Sequence, residues 1–169
     1  MNQPDKEALF EAIEKTTRLK RQYLEIVTLG EVNKTTLELC RDVMPMPLHY
    51  DNVVSALSVL DNIDFIVYGA IKTVGSKFGT QSSSSSIVAG HCWLQLSDGT
   101  HIDPSIDCQP VVVGHSILLS ERIYVEAFKV SKEELLRISN DILPPKLVGC
   151  VGIPLEGLSN LSSHSYLFN

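Results

Sequence analysis

Apolar residues recur at helical spacing through the first part of the chain. Over residues 5–27, helical spacing relates Leu9, Phe10, Ile13, Tyr23 and Leu24, and acidic residues crowd the first turn, which predicts one long helix that ends at Gly30. A second helix is predicted over residues 35–44, because Pro45 and Pro47 cannot continue it. The N-terminal part of the chain is therefore expected to be helical.

A third helix is predicted after Tyr50, with Asp51 or Asn52 as its N-cap. Its apolar residues fall on one side of a helix, as expected for a stripe that packs on a core. The predicted stripe comprises Val53, Ala56, Leu57 and Leu60.

Beyond residue 64 the pattern changes from the helical period to that of β-strands. Strands are predicted over 65–72, 87–96, 100–103 and 124–130, and a last short strand over 148–154. Asp98 and Gly99 predict a hairpin turn between the second and third of these strands. Ser131 begins a capping box that predicts a further helix, which ends before Pro144. Helices, then strands, then a helix indicate an α+β fold with N-terminal helices packed on an antiparallel sheet.

Length and composition limit the possible function classes. The 169 residues, 44% of them hydrophobic, predict a single domain over 1–169, with the Ser-rich stretch 75–86 as a flexible surface loop. A net charge of −6 argues against nucleic acid as a partner, and the short basic run at 18–21 is read as the solvated face of a helix. No apolar stretch is long enough to span a membrane, and no secretory signal is evident. We expect a cytoplasmic protein, although a dedicated secretion system would leave no signal in such a sequence.

The four cysteines show neither CxxC pairing nor zinc-type spacing, so we expect reduced thiols. A metal site built from His49, His91, His101 and Asp103 is a weaker interpretation, since no His-x-His or His-x-x-x-His spacing supports it. We therefore expect neither a metal ion nor a cofactor.

His91 and Asp103 carry the most specific chemical signal in the sequence. They lie in the segments GHCWL (90–94) and THIDPS (100–105), on two strands of the predicted hairpin. In acyl-transfer enzymes a His moves a proton while a carboxylate orients its ring, so the two side chains must meet. An ideal two-residue turn at Asp98 and Gly99 would place them on opposite faces of the sheet. An odd-length loop centred on Ser97, or a bulge at Gly99, would bring them together, and we predict such an irregular hairpin.

These two segments resemble the His-x-Trp and Asp-Pro-Thr/Ser segments of transglutaminase-like and related papain-like cysteine enzymes. The resemblance covers residues 47–105, about a third of the chain. It implies a sheet packed against a helix that the nucleophilic Cys opens, with His91 as base and Asp103 as its orienting partner. Trp93 and Asn52 would then form walls of the site.

The nucleophile is missing where the resemblance places it. Residues 48–52 read LHYDN, and against a Cys-x-x-Asn-Val pattern His49 occupies the nucleophile position. Cys40 and Cys92 are expected in the core, the latter because it alternates with His91 along a strand. Cys108 lies in a Pro-flanked stretch and is a weak candidate for a reactive thiol.

Two function classes follow. The first is a catalytically degenerate domain of this fold that binds a protein or peptide. The second is an active amide acyltransferase or hydrolase that uses His91 and Asp103 with a nucleophile in an unusual place. The missing Cys favours the first, with His49 as the only replacement at the family position.

Overall fold

The computed structural model describes residues 1–43, 49–74, 86–104, 122–142, 153 and 155–169. Its helices are α1 (Gln3–Thr17), α2 (Lys34–Arg41), α3 (His49–Ala56), α4 (Lys132–Ile142) and α5 (Leu155–Ser159), with 3₁₀ turns at Arg21–Tyr23 and Ser165–Leu167. Its strands are β1 (Glu25–Val27), β2 (Ile63–Val74), β3 (Ser86–Leu96), β4 (His101–Ile102) and β5 (Arg122–Ser131). They form one antiparallel sheet in the order β1-β5-β2-β3-β4, so the predicted α+β class is confirmed.

The single helix predicted over residues 5–27 is wrong beyond Thr17. Arg18 adopts a left-handed conformation (φ 63°) and its N–H bonds to the Glu14 carbonyl, which ends α1. The chain then pairs with other parts of the molecule: Leu19 forms a β-bridge with Phe168, and β1 pairs with β5. The basic run at 18–21 is therefore not a helix face. Tertiary pairing overrides a pattern that local spacing alone assigns to a helix.

The second helix is confirmed with shifted ends, since α2 begins after Asn33, whose side chain accepts from the Thr36 N–H. The predicted start of the third helix is wrong: α3 begins at His49, so Asp51 and Asn52 lie inside it. All four residues of the predicted stripe are buried, but α3 ends at Ala56, so Leu57 and Leu60 lie beyond it.

The predicted strands correspond to β2, β3, β4 and β5, and the Ser131 cap of α4 is confirmed by a bond from the Glu134 N–H to Ser131 Oγ at 3.2 Å. The predicted loop at 75–86 lies outside the described residues except for Ser86, which begins β3. The predicted end of α4 at Pro144 also lies outside them. Of the predicted strand at 148–154 only residue 153 is described, and it is not in a strand.

The sheet curls until its two ends touch. Leu29, just after β1, forms a parallel bridge with His101 of β4, and the Gly30 N–H donates to the His101 carbonyl at 2.8 Å. In a flat sheet β4 and β5, which have β2 and β3 between them, would lie about 14 Å apart. Tyr124 of β5 nevertheless bonds to Asp103 just after β4. The strands therefore enclose an inner face.

The two faces of the curled sheet have different partners. On the outer face, residues such as Tyr68, Cys92 and Leu94 join one large apolar cluster with the buried residues of α1, α3 and α4. On the inner face Val67, Ile71, Trp93 and Tyr124 form a second cluster, with Val27 and Leu29 packed against it. Alternation along β2 and β3 separates these sets. The helices thus cover the side of the sheet that His91 does not face.

Within the described part of the chain, no helix has the length and apolar character that crossing a membrane requires.

Gly69 is expected to be essential for the bulge between β2 and β5. A Cβ at this position would lie 1.9 Å from the Val125 carbonyl oxygen, where the register shifts between Tyr68 and Gly69. Gly69→Ala should lower the free energy of unfolding by about 1–3 kcal/mol, because neither backbone can move without breaking the ladder. Urea unfolding measures the change.

Gly90→Ala is the matched control in the neighbouring strand, since a Cβ there meets only side-chain atoms at 3.4 Å or beyond. Equal stability of the two variants would contradict the close approach at Gly69.

Candidate functional site

The β3–β4 hairpin has the irregular form that the sequence requires for His91 to meet Asp103. Leu94 pairs with Ile102, and Leu96 N–H bonds to the Thr100 carbonyl at 2.8 Å, which leaves a three-residue loop at 97–99. Gly99 adopts φ +86° in this loop, a conformation that glycine permits. The predicted odd-length loop is confirmed, but it is centred on Asp98 rather than Ser97. Asp103 is consequently level with Trp93 and reaches His91 diagonally.

His91, Asp103 and Tyr124 form one buried hydrogen-bonded chain. His91 Nε2 lies 2.7 Å from Asp103 Oδ2, and the Tyr124 hydroxyl donates to the same oxygen at 2.9 Å. Because a carboxylate only accepts, the bond holds the proton of a neutral His91 on Nε2. Burial, together with the Asp103 charge, raises the pKa of Tyr124, so its phenol remains a donor.

This chain of groups is closed to solvent in the structure. His91 is 1% exposed and Asp103 4% exposed. Trp93, predicted as a wall of the site, stacks beside the imidazole, with ring centroids 6.1 Å apart and planes 22° from parallel. Tyr124 contacts the Trp93 ring edge-on at 5.4 Å. The arrangement can orient an imidazole, but a substrate cannot reach that imidazole without a local opening.

His101 belongs to a second polar group beside the first. The Trp93 Nε1–H donates to His101 Nδ1 at 3.0 Å, and His101 Nε2 lies 3.7 Å from Glu126 Oε2. An indole N–H can only donate, so Nδ1 carries no proton. Both ring nitrogens thus face protein groups. Among the described residues, no three His, Cys, Asp or Glu side chains are grouped as a metal site would require.

α3 and His91 lie on opposite faces of the sheet. His49 is the first residue of α3, at the position where the resemblance places a nucleophile, but its side chain lies outside the described part of the structure. Tyr50 stacks on Tyr68, and the apolar stripe of α3 packs with Cys92 on the outer face. The structure therefore does not bring the body of α3 to the face that carries the imidazole.

Asn52, the other predicted wall, lies on α3, which packs on the face of the sheet opposite His91. It is 1% exposed, and its amide nitrogen and oxygen have no hydrogen-bond partner within the described residues. A buried unpaired amide costs about 1–3 kcal/mol, so this is an energetically unfavourable position.

The two described cysteines are also on the outer side. Cys40 and Cys92 are 0% and 1% exposed and belong to the helix-side cluster, as expected for core residues. Cys108 lies outside the described residues. Within the described part of the chain, no thiol shares the face of His91.

Sequence reasoning missed Tyr124 as a partner of the pair. Tyr124 was predicted only as part of a strand, about twenty residues after Asp103. An apolar β-strand pattern does not show which distant strand a hydroxyl reaches, and only the curl of the sheet brings it to Asp103.

Tyr124→Phe should destabilise the fold by about 1.5–3 kcal/mol, because it removes a buried hydrogen bond to a carboxylate that is itself 4% exposed. Urea unfolding measures the loss. Tyr166→Phe is the control, since Tyr166 is 54% exposed. If both variants unfold at the same urea concentration as the wild type, the hydroxyl does not stabilise the closed sheet.

Stability should decrease as the pH falls below about 6.5, in part because of His101. Burial lowers the pKa of His101, so the folded state binds fewer protons than the unfolded state, whose His titrates near the usual 6.5. The contribution of His101 to stability is therefore fully present above that pH and decreases as the pH falls below it. Urea unfolding at several pH values should show a smaller decrease for His101→Gln than for the wild type. An identical decrease in both proteins would exclude His101 as a source.

Compared with known proteins, the chain matches no family model, no curated protein and no solved structure. Its fold and its His91–Asp103 pair therefore have no matched relative from which a function could be carried over.

Proposed function

We propose that the chain is a catalytically degenerate transglutaminase-like (papain-like) domain that binds a protein or peptide. In this proposal His91 and Asp103 are retained as a structural link between the hairpin and β5, and perform no acyl transfer. The observation that carries the proposal is the placement of His91: it faces the closed interior, whereas α3 packs on the opposite face of the sheet.

Burial supports the structural role. An imidazole that acts as a general base must come within hydrogen-bond reach of the group it deprotonates. His91 is 1% exposed and lies between Trp93 and Asp103. These contacts hold the hairpin against the inside of the sheet, which is a role that does not require a nucleophile.

The net charge of the chain favours a protein or peptide partner over nucleic acid. The formal net charge is −6, which repels the phosphates of nucleic acids. The same charge favours partner segments that are basic or neutral, because complementary charge speeds association.

The alternative function is an active amide hydrolase or acyltransferase. The chain of Tyr124, Asp103 and His91, with distances of 2.9 and 2.7 Å, is the arrangement that an oriented base requires. Such an enzyme would need a nucleophile close to His91 from outside the described residues, where the candidates are the thiol of Cys108 and the side chain of His49. A thiol paired with a histidine reacts much faster than an ordinary one.

Limited alkylation of the native protein at neutral pH, with each Cys mapped by mass spectrometry, separates the two functions. We expect slow labelling of all four thiols, at rates that His91→Ala does not change. His91→Gln keeps a donor for Asp103 and serves if the alanine variant unfolds, and His101→Gln is the control for a different histidine on the inner face. One fast thiol that slows in both His91 variants, but not in the control, would overturn the proposal.

Binding is tested directly with an arrayed library of basic and neutral peptides. We expect saturable binding of particular peptides by the wild type and by His91→Gln alike, with no cleaved or transferred product in the mass spectrum. Binding to no member of the library, or a product that depends on His91, would contradict a binding module of this kind.

A further inference from the structure

A second cluster of polar side chains, a serine, a histidine and a glutamate, lies on the outer face of the sheet. Ser163 and His164 occupy the turn between α5 and the 3₁₀ turn Ser165–Leu167, and Glu134 lies on α4. His164 contacts Phe128, which stacks on Tyr68 of the outer face. The cluster is therefore separated by the sheet from His91 and Asp103.

The three side chains are arranged in the order hydroxyl, imidazole, carboxylate. Ser163 Oγ lies 2.9 Å from His164 Nδ1, and His164 Nε2 lies 3.6 Å from Glu134 Oε1. A hydroxyl that donates to Nδ1 leaves the ring proton on Nε2, which faces the carboxylate. The second distance is that of an electrostatic contact rather than a hydrogen bond, and such contacts in unliganded sites often shorten when a substrate binds.

Exposure distinguishes the parts of the cluster. Ser163 is exposed, while His164 is 6% exposed beneath it, with its ring 5.5 Å from that of Phe128. An attacking atom must be accessible, and a base works best when it is held neutral and oriented. Burial lowers the pKa of His164, and so does Arg137, whereas Glu134 raises it.

The backbone beside the hydroxyl offers donors. His164 and Ser165 direct their N–H groups to the Leu161 carbonyl. The N–H groups of Ser162 and Ser163 donate no hydrogen bond within the described residues. Adjacent backbone N–H groups next to a nucleophile are the usual donors to the oxyanion that forms in acyl transfer.

We propose that Ser163 is a nucleophile, with His164 as its general base and Glu134 as a positioning residue, and that it hydrolyses activated carboxylic esters. Ser163 Oγ would bond to the ester carbonyl carbon while its proton passes to His164 Nδ1. The carbon–oxygen bond to the leaving group then breaks, and the leaving oxyanion takes the proton from His164 Nδ1. Water, deprotonated by the same nitrogen, releases the acid and restores Ser163 with its proton.

Activated esters are the substrate class that this surface site suits. Among the described residues of the cluster, the acid for a leaving group is the His164 imidazolium formed in the first step, so a stable leaving group such as a phenolate departs most readily. Amides, whose leaving groups require stronger acid assistance, should react far more slowly. This inference concerns the outer face and does not depend on the proposed binding function.

A fluorophosphonate probe and 4-nitrophenyl acetate test the proposal on the full chain. The probe loses fluoride as Ser163 Oγ bonds to phosphorus, and we expect the label at Ser163 when it is mapped by mass spectrometry. Ser163→Ala should remove the label and the ester hydrolysis above background. His164→Gln should slow labelling by about a hundredfold or more, the usual contribution of a general base.

Ser165→Ala is the matched control, because Ser165 is an exposed hydroxyl in the same turn whose Oγ donates to the Ser162 carbonyl. It should leave labelling unchanged. Labelling spread over several serines, or equal hydrolysis by Ser163→Ala and Ser165→Ala, would overturn the proposal. The comparison of Ser163→Ala with Ser165→Ala tests the proposal even if the His164 variant does not fold.

The positioning role of Glu134 is tested by the pH profile of labelling. Glu134 and Arg137 are the charged groups that shift the pKa of His164 in the described structure, and they act in opposite directions. Glu134→Gln should therefore move the acidic limb of the profile to lower pH, while Arg137→Gln should move it to higher pH. A profile that neither variant moves would show that Glu134 does not act through His164. This test measures labelling of a serine. Its failure is therefore distinct from a failure of the cysteine-alkylation test of the proposed binding function.

Discussion

Two hydrogen bonds to one oxygen of Asp103 join parts of the sheet that are distant in strand order. His91 approaches from β3 and Tyr124 from β5, with β2 between them, and Asp103 itself follows β4. The bonds require a curled sheet, because the reach of a tyrosine and an aspartate is short compared with the width of four flat strands. The bridge between Leu29 and His101 completes the same closure through the backbone.

The closed sheet explains why His91 and Asp103, two residue types that are typical of catalytic pairs, are buried. A carboxylate placed in a low-dielectric interior is tolerated only with good donors, and the inner face supplies an imidazole and a phenol. Once those bonds exist, Trp93 packs against the imidazole and the pair is closed to solvent. The same residue types that would serve acyl transfer thus serve as the polar link inside a small curled sheet. Helices then cover the outer face, where the chain places its larger apolar cluster.

The sequence predicted correctly the strands and helices that have a long, local pattern of residue types. β2, β3 and β5 are runs of β-branched and aromatic residues, and α4 begins with a capping box, so their existence follows from propensity and period. The meeting of His91 and Asp103 was predicted on the condition that the hairpin is irregular, and its three-residue loop fulfils that condition. The N-terminal helix was overestimated because the residues after Arg18 have helical spacing, yet they gain more from pairing with the C-terminal residues and with β5. The start of α3 was misplaced because a polar pair, Asp51 and Asn52, resembled a cap.

By itself the sequence determined the α+β class, the main strands and the candidate pair, since each depends on neighbours within about a dozen residues. Only the tertiary structure decided which face of the sheet each candidate residue occupies and which side chains it contacts there. Tyr124 reaches Asp103, Glu126 approaches His101, and Glu134 approaches His164 through contacts between elements that are separate in sequence. Such contacts depend on the curl of the sheet and on helix docking, which arise from packing of the whole chain and leave no periodic signal in any one segment.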